Sequence, residues 1–76
     1  MKEKFLQIVS EALEKEIQNI QITDHFKEYE EWDSLAILSI MALIEENFGT
    51  TISRDNLNKC QTLEDLFKIV TTDNPQ

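Results

Sequence analysis

Apolar residues in the first part of the chain recur at helical spacing: Phe5, Ile8, Val9, Ala12, Leu13 and Ile17 share one face, while Glu11, Glu14, Lys15 and Gln18 fill the other. This predicts an amphipathic first helix that includes Ile17. From Asn19 to Trp32 the period fails, and Ile20, Ile22, Phe26 and Tyr29 are left as apolar anchors for a long loop. A loop of that length ordinarily counts against an assignment within a compact domain, so its anchors must pack down.

The next element is well punctuated. Asp33 is a favourable N-cap for a second helix over Ser34 to Phe48. It places Trp32 and Ile37 at the two positions of a hydrophobic staple, and Gly49 where a left-handed residue closes a helix. Beyond it, Thr50-Thr51-Ile52 is too short for a sheet, Ser53 can cap a brief helix through Asn58, and Thr62-x-x-Asp65 is a capping-box pattern. That box opens a last helix with Leu63, Leu66, Phe67 and Val70 as its buried stripe, followed by a polar stretch, 71–76, that reads as a flexible tail. No strand has a partner. The predicted fold is all-α: a single domain over 1–76, built as a small antiparallel-type bundle of three main helices plus one short helix.

The second helix has more apolar residues than one core face needs. At 100° per residue, Ile37, Ile40, Met41, Ile44 and Phe48 gather on one side. Leu35, Ala36, Ala42 and Leu43 fall on the far side with Ser39 and Glu46, and Leu38 and Glu45 lie on the flank nearer Ser34. A helix apolar nearly all round is either fully buried or keeps a face for a partner. One reading has the long loop fold over Leu35 and Leu38. The other makes them part of a docking face.

Charge and composition narrow the function. With 15 Asp and Glu against 7 Lys and Arg, the net charge of −8 repels phosphate backbones and anionic lipid, so nucleic acid is not an expected partner. The same field favours proteins with basic docking patches. Cys60 is the sole cysteine and His25 the sole histidine, so the sequence offers neither an internal disulfide nor a zinc set. Polar Gln7, Ser10 and Glu11 interrupt the start before a signal-type apolar core forms, and no stretch approaches a membrane span. The expectation is a cytoplasmic, monomeric protein with no membrane insertion.

Enzymatic arrangements are poor. Glu45 and Glu46 are adjacent and point about 100° apart on a helix, so they cannot clasp one group as a paired acid and base. No calcium-loop spacing is present. His25 reads as a solvated loop residue with nothing tying it to Ser34, and Cys60 as a small packing residue. No catalytic residue and no metal site is expected.

Ser34 carries the remaining chemistry. A serine at a helix mouth has an exposed hydroxyl, and the helix dipole with its unpaired first-turn amides favours a phosphate there. Asp33-Ser34-Leu35, followed by Leu38, Met41, Ala42, Leu43, Glu45, Glu46 and Phe48, resembles the acyl carrier protein family. So does the order of a first amphipathic helix, a long loop, the Glu-Glu-Asn-Phe-Gly helix end, Ile52-Ser53-Arg54-Asp55 and the Thr62-Leu63-Glu64-Asp65-Leu66 opening.

That resemblance implies that a phosphopantetheinyl transferase moves 4'-phosphopantetheine from coenzyme A onto Ser34. The arm's thiol would then hold acyl intermediates as thioesters for loading and processing enzymes of fatty-acid, polyketide or dedicated acyl-transfer pathways. It further implies partner docking through Asp33, Leu35, Leu38, Ala42, Glu45 and Glu46. Ala36 and Ser39 depart from the family, since their positions are often acidic in fatty-acid carriers; this points toward a dedicated pathway. A peptidyl or aminoacyl carrier of nonribosomal-type assembly, and an unmodified acidic helical adaptor in which Ser34 is only a cap, remain alternatives.

Overall fold

The computed structural model describes residues 2–72, and every regular element among them is helical. The first helix, α1 (Lys2–Leu13), buries Phe5, Ile8, Val9 and Leu13, as its period predicts. It closes at Leu13 and does not reach Ile17. Glu14 adopts the left-handed conformation at φ 54°. The Glu14 amide donates to Glu11 O at 3.4 Å and the Lys15 amide to Ser10 O at 3.1 Å, the paired bonds of a Schellman ending. The Ser10 hydroxyl donates to the Lys15 carbonyl and secures that turn. Ile17 keeps the sequence phase of α1 but sits in a separate 3-10 turn, Ile17–Asn19, and is 41% exposed.

The long connection is held down by its apolar residues. Ile20 and Phe26 are buried, while Ile22, Tyr29 and Trp32 pack half-buried against the same core. A second 3-10 turn, Phe26–Glu28, turns the Phe26 ring inward, where it meets Trp32 edge-on at a centroid distance of 4.8 Å. A fully buried phenylalanine contributes about 1.5–3 kcal/mol relative to an exposed one, enough to offset the ordering of one or two loop residues. Two backbone bonds complete the anchoring: the Glu64 amide donates to Ile22 O at 2.8 Å and the Leu63 amide to Asp24 O at 3.1 Å.

The second helix, α2 (Ser34–Phe48), has the predicted bounds. Asp33 caps it and Gly49, at φ 69°, ends it with its amide donating to Glu45 O. Its buried line is Ala36, Ile40 and Ile44, whereas Ile37, Met41 and Phe48 are only half-buried. The helix is therefore turned from the predicted orientation, and Ala36, expected on the outward side, is 3% exposed. The cause is α1, which makes the principal helix-helix contact with α2. Its end, Ala12 and Leu13, borders a cavity shared with Ala36, and its start reaches the far end of α2, with the Lys4 ammonium 5.7 Å from the Phe48 ring centroid. The two helices are thus antiparallel, and the side of α2 that meets α1 is buried whatever the apolar count elsewhere.

The short helix α3 (Arg54–Lys59) is capped by Ser53, whose Oγ accepts the Asn56 amide at 3.1 Å, and it buries Leu57. The last helix, α4 (Leu63–Thr72), opens with the predicted capping box. Thr62 Oγ1 accepts the Asp65 amide at 3.3 Å, and the Asp65 carboxylate accepts the amides of Thr62 at 3.2 Å and Gln61 at 3.1 Å. Those bonds hold the Asp65 carboxyl below the usual carboxylate range. Leu63, Leu66 and Val70 are buried, and Phe67 is half-buried with its ring 5.2 Å from that of Phe5. Thr71 and Thr72, expected in the tail, belong to α4. The rest of that tail, 73–76, lies outside the described residues. Cys60 is 2% exposed, its thiol donating to Asn56 O at 3.3 Å, and burial pushes its pKa up, which suits packing and not nucleophilic attack.

Candidate functional site

Ser34 is the first residue of α2 and is exposed. The cap is supplied by its neighbour: Asp33 Oδ1 accepts the Ala36 amide at 2.8 Å, and Asp33 O accepts the Ile37 amide at 3.0 Å. Asp33 itself is extended, at φ −139°, which turns the incoming chain away from the helix axis. Among the described residues nothing hydrogen-bonds to Ser34 Oγ, so its hydroxyl is not committed to the fold. The Ser34 and Leu35 amides, first of the orphan donors at a helix start, point in the same general direction and likewise have no protein acceptor among the described residues.

Around this serine lies one exposed arc of α2. Leu35 is 73% and Leu38 55% exposed, and Ala42, Glu45 and Glu46 are exposed as well. On the helical wheel these positions span about 120° from Ser34. The long loop does not fold over them, so the covering reading is excluded for Leu35 and Leu38. All six residues expected at a docking face are solvent-accessible, Asp33 included, and they lie on one side of the molecule with Ser34. Ala36 does not join them, and Ser39, half-buried, borders the α1 side.

Two features escaped the sequence. An open cavity of about 300 Å³ separates the end of α1 from the start of α2, lined in part by Leu13, Glu14, Glu31, Leu35, Ala36 and Ser39. A polar set also supports the last stretch of the loop: Tyr29 Oη donates to Asp24 Oδ2 at 2.6 Å, the Lys15 ammonium lies 4.8 Å from the Tyr29 ring centroid, and the same ammonium pairs with Glu31 at 3.4 Å. Burial and the Asp24 carboxylate together push the Tyr29 phenol well above its ordinary pKa, so it stays protonated and donating. The sequence showed Tyr29 only as an apolar anchor; no periodic signal marks a pairing across such a loop.

Among the described residues, no hydrolytic or metal arrangement is assembled. His25 is exposed on the loop, and no hydrogen bond among the described residues links it to Ser34. No group of three His, Cys, Asp or Glu side chains among the described residues is placed to hold a metal ion. The chemistry available at the start of α2 is that of an accessible hydroxyl beside two open amides.

The family model described as phosphopantetheine attachment site matches residues 3–70 of this chain. The chain belongs to that family. A carrier domain of this kind is the site of covalent 4'-phosphopantetheine attachment, and its all-helical fold agrees with an acyl-carrier-protein-like bundle. No curated protein matches the chain at a significant level. Carrier domains work with a phosphopantetheinyl transferase and with enzymes that process the bound group. The entrance of α2 in this carrier fits such an arm: it offers an uncommitted hydroxyl, donors for a phosphodiester and free space on the outward side, although the Asp33 carboxylate consumes one first-turn amide and adds a nearby negative charge. No described helix is long and apolar enough to cross a membrane.

Proposed function

We propose that this chain is an acyl carrier protein, not itself an enzyme, in which Ser34 carries the phosphopantetheine arm. One observation supports the assignment above the others: Ser34 is exposed at the first residue of α2 while Asp33 alone performs the capping. A serine needed only as a cap would sit one position earlier and accept the first-turn amide itself. In the loading reaction Ser34 Oγ attacks the β-phosphorus of coenzyme A. The Oγ–P bond forms as the pyrophosphate P–O bond breaks, the nucleoside bisphosphate leaves, and the hydroxyl proton passes to a base of the transferase.

The arm supplies a terminal thiol that holds cargo as a thioester. The chain's own residues present that thiol: α2 fixes the attachment point, and Leu35, Leu38 and Ala42, rimmed by Glu45 and Glu46, give partner enzymes an apolar contact bordered by negative charge. Basic patches on the transferase and on acyl-loading or acyl-processing enzymes complement this arc and the net charge of −8. Strong acidity and the Asp-Ser-Leu form favour an acyl cargo over an aminoacyl one, and the non-acidic Ala36 and Ser39 favour a dedicated pathway over general fatty-acid synthesis. The carrier acts as a cytoplasmic monomer.

The decisive measurement is intact mass after incubation with coenzyme A, Mg²⁺ and a broad-specificity transferase. One phosphopantetheine added to the wild type and none to Ser34→Ala supports the carrier reading and its site. An unmodified wild type would favour the helical adaptor, and modification of Ser34→Ala would move the site elsewhere. Subsequent loading tests with acyl- and aminoacyl-transferring enzymes separate acyl from peptidyl carriers.

A further inference from the structure

The segment leading into Ser34 is fastened from two directions, toward α4 and toward the turn that closes α1, and the Tyr29 side chain touches both fastenings. Downstream of the Ile17–Asn19 turn, Asp24 is a node: its backbone oxygen accepts the Leu63 amide at 3.1 Å, and its carboxylate accepts the Gln21 amide at 3.0 Å and the Tyr29 hydroxyl at 2.6 Å. Tyr29 in turn supports the Lys15 ammonium on its ring face at 4.8 Å, and Lys15 holds Glu31, two residues before Asp33. The result is a continuous run of contacts from the first turn of α4, through Asp24, Tyr29, Lys15 and Glu31, to the cap of α2.

We infer that Tyr29 is a positioning residue for the modification at Ser34, holding the Glu30–Asp33 approach to α2 in the arrangement that a transferase engages. The inference rests on Ser34 being the attachment site. Its physical content is pre-organisation. A phenol donating to a carboxylate is a charge-assisted bond, and the Lys15 ammonium adds a cation–π contact and an ion pair on the same tether. Without these, exposed Glu30 and half-buried Glu31 and Trp32 lose the hold of the Lys15–Glu31 ion pair, which ties this approach to the turn that closes α1. A transferase would then meet a loop that is competent only part of the time. Apparent affinity falls in proportion to the competent fraction, whereas the chemical step, once the carrier is bound, does not.

The experiment measures loading of the full apo chain by a broad-specificity transferase with coenzyme A, comparing wild type, Tyr29→Phe and Lys15→Gln, with Ser34→Ala as control. Tyr29→Phe deletes only the hydroxyl; Lys15→Gln leaves the Tyr29–Asp24 bond and cuts the tether to Glu31. The expected result is a KM for the carrier raised about three- to tenfold in each variant, the range for one such hydrogen bond, with kcat changed by less than about twofold. The positive charge lost in Lys15→Gln makes the carrier more acidic, which favours encounter with a basic transferase, so a KM rise there runs against the electrostatic trend. Amide exchange at Leu63 and Glu64 should quicken in Tyr29→Phe, because the Asp24 and Ile22 carbonyls are loosened.

An unchanged KM in both folded variants overturns the inference, even if their melting temperatures fall, since that would make the network structural only. Should Tyr29→Phe fail to fold, Lys15→Gln decides the matter. Loading of Ser34→Ala would instead defeat the site assignment on which the inference stands, a result distinct from either.

Discussion

Asp33 Oδ1 accepts the Ala36 amide at 2.8 Å, and this single bond frees Ser34 from any part in capping its own helix. In the proposed carrier, attachment at Ser34 and capping by Asp33 are split between two adjacent residues. The split has measurable consequences at both positions.

Ser34→Ala should leave the melting temperature close to wild type, because an exposed hydroxyl with no protein partner is removed and surface changes of this kind usually stay within about 0.5 kcal/mol. It should abolish phosphopantetheinylation. Asp33→Ala should do the reverse in stability, costing about 0.5–2 kcal/mol through the lost cap, with Asp33→Asn retaining most of it. Thermal unfolding followed by circular dichroism, alongside intact mass, checks all three.

The outward arc of α2 should govern partner turnover with little effect on stability. Leu38 is 55% exposed, so Leu38→Ala removes far less buried area than a core truncation, which costs about 2–5 kcal/mol. Its loss should weaken partner-enzyme turnover at any ionic strength. Glu46→Lys should act mainly on association rate and lose its effect at high salt. A large fall in melting temperature for Leu38→Ala with unaltered kinetics would remove Leu38 from the docking face.

Salt should raise the melting temperature at neutral pH. A net charge of −8 sets up self-repulsion, and Glu28, Glu30, Glu31 and Asp33 crowd the approach to α2 with one ammonium, Lys15, against Glu31. A melting temperature flat from low to moderate salt would contradict this.

Asp65 gives a pH dependence of definite sign. Its carboxylate accepts the Gln61 and Thr62 amides, which lowers its pKa in the folded state. A group with a depressed folded pKa contributes stability above its unfolded pKa, ordinarily about 3.9, and loses that contribution as pH falls through the folded value. Asp65→Ala should therefore lower the melting temperature at neutral pH and flatten part of the acid-side decline. Parallel melts from pH 7 down to about pH 2 test it.

Gly49→Ala isolates backbone strain. A Cβ at Gly49 would meet nothing within 4 Å, yet φ is +69°, so the cost is conformational, about 1–2 kcal/mol, with no packing term. A melting temperature equal to wild type would mean that the helix end rearranges without cost.

The sequence alone determined those features whose causes are local. Asp33, Gly49, Ser53 and Thr62 mark helix ends because a short polar side chain accepts orphan amides within a few residues, or a missing Cβ permits a left-handed close, and α2, α3 and α4 begin where the three polar signals stand. The place of Ser34 at the mouth of α2 followed from the cap signal at Asp33. Local chemistry also ended α1 early, but there the left-handed residue is Glu14, a type that gives no advance notice of a positive φ, so the in-phase Ile17 misled the period.

Only the tertiary structure decided the rest. The buried line of α2 is Ala36, Ile40 and Ile44 because α1 lies antiparallel on that side; a helix apolar nearly all round contains no information about which face its neighbour will take. The exposure of Leu35 and Leu38 depended on where the long loop goes, and the loop goes to α4, whose first amides bind the Ile22 and Asp24 carbonyls. The Asp24–Tyr29–Lys15–Glu31 network is likewise a product of that closure. Contacts between residues far apart in sequence have no period and no spacing to read, and they exist only once burial of Phe26 and Ile20 has brought the loop down onto the helices.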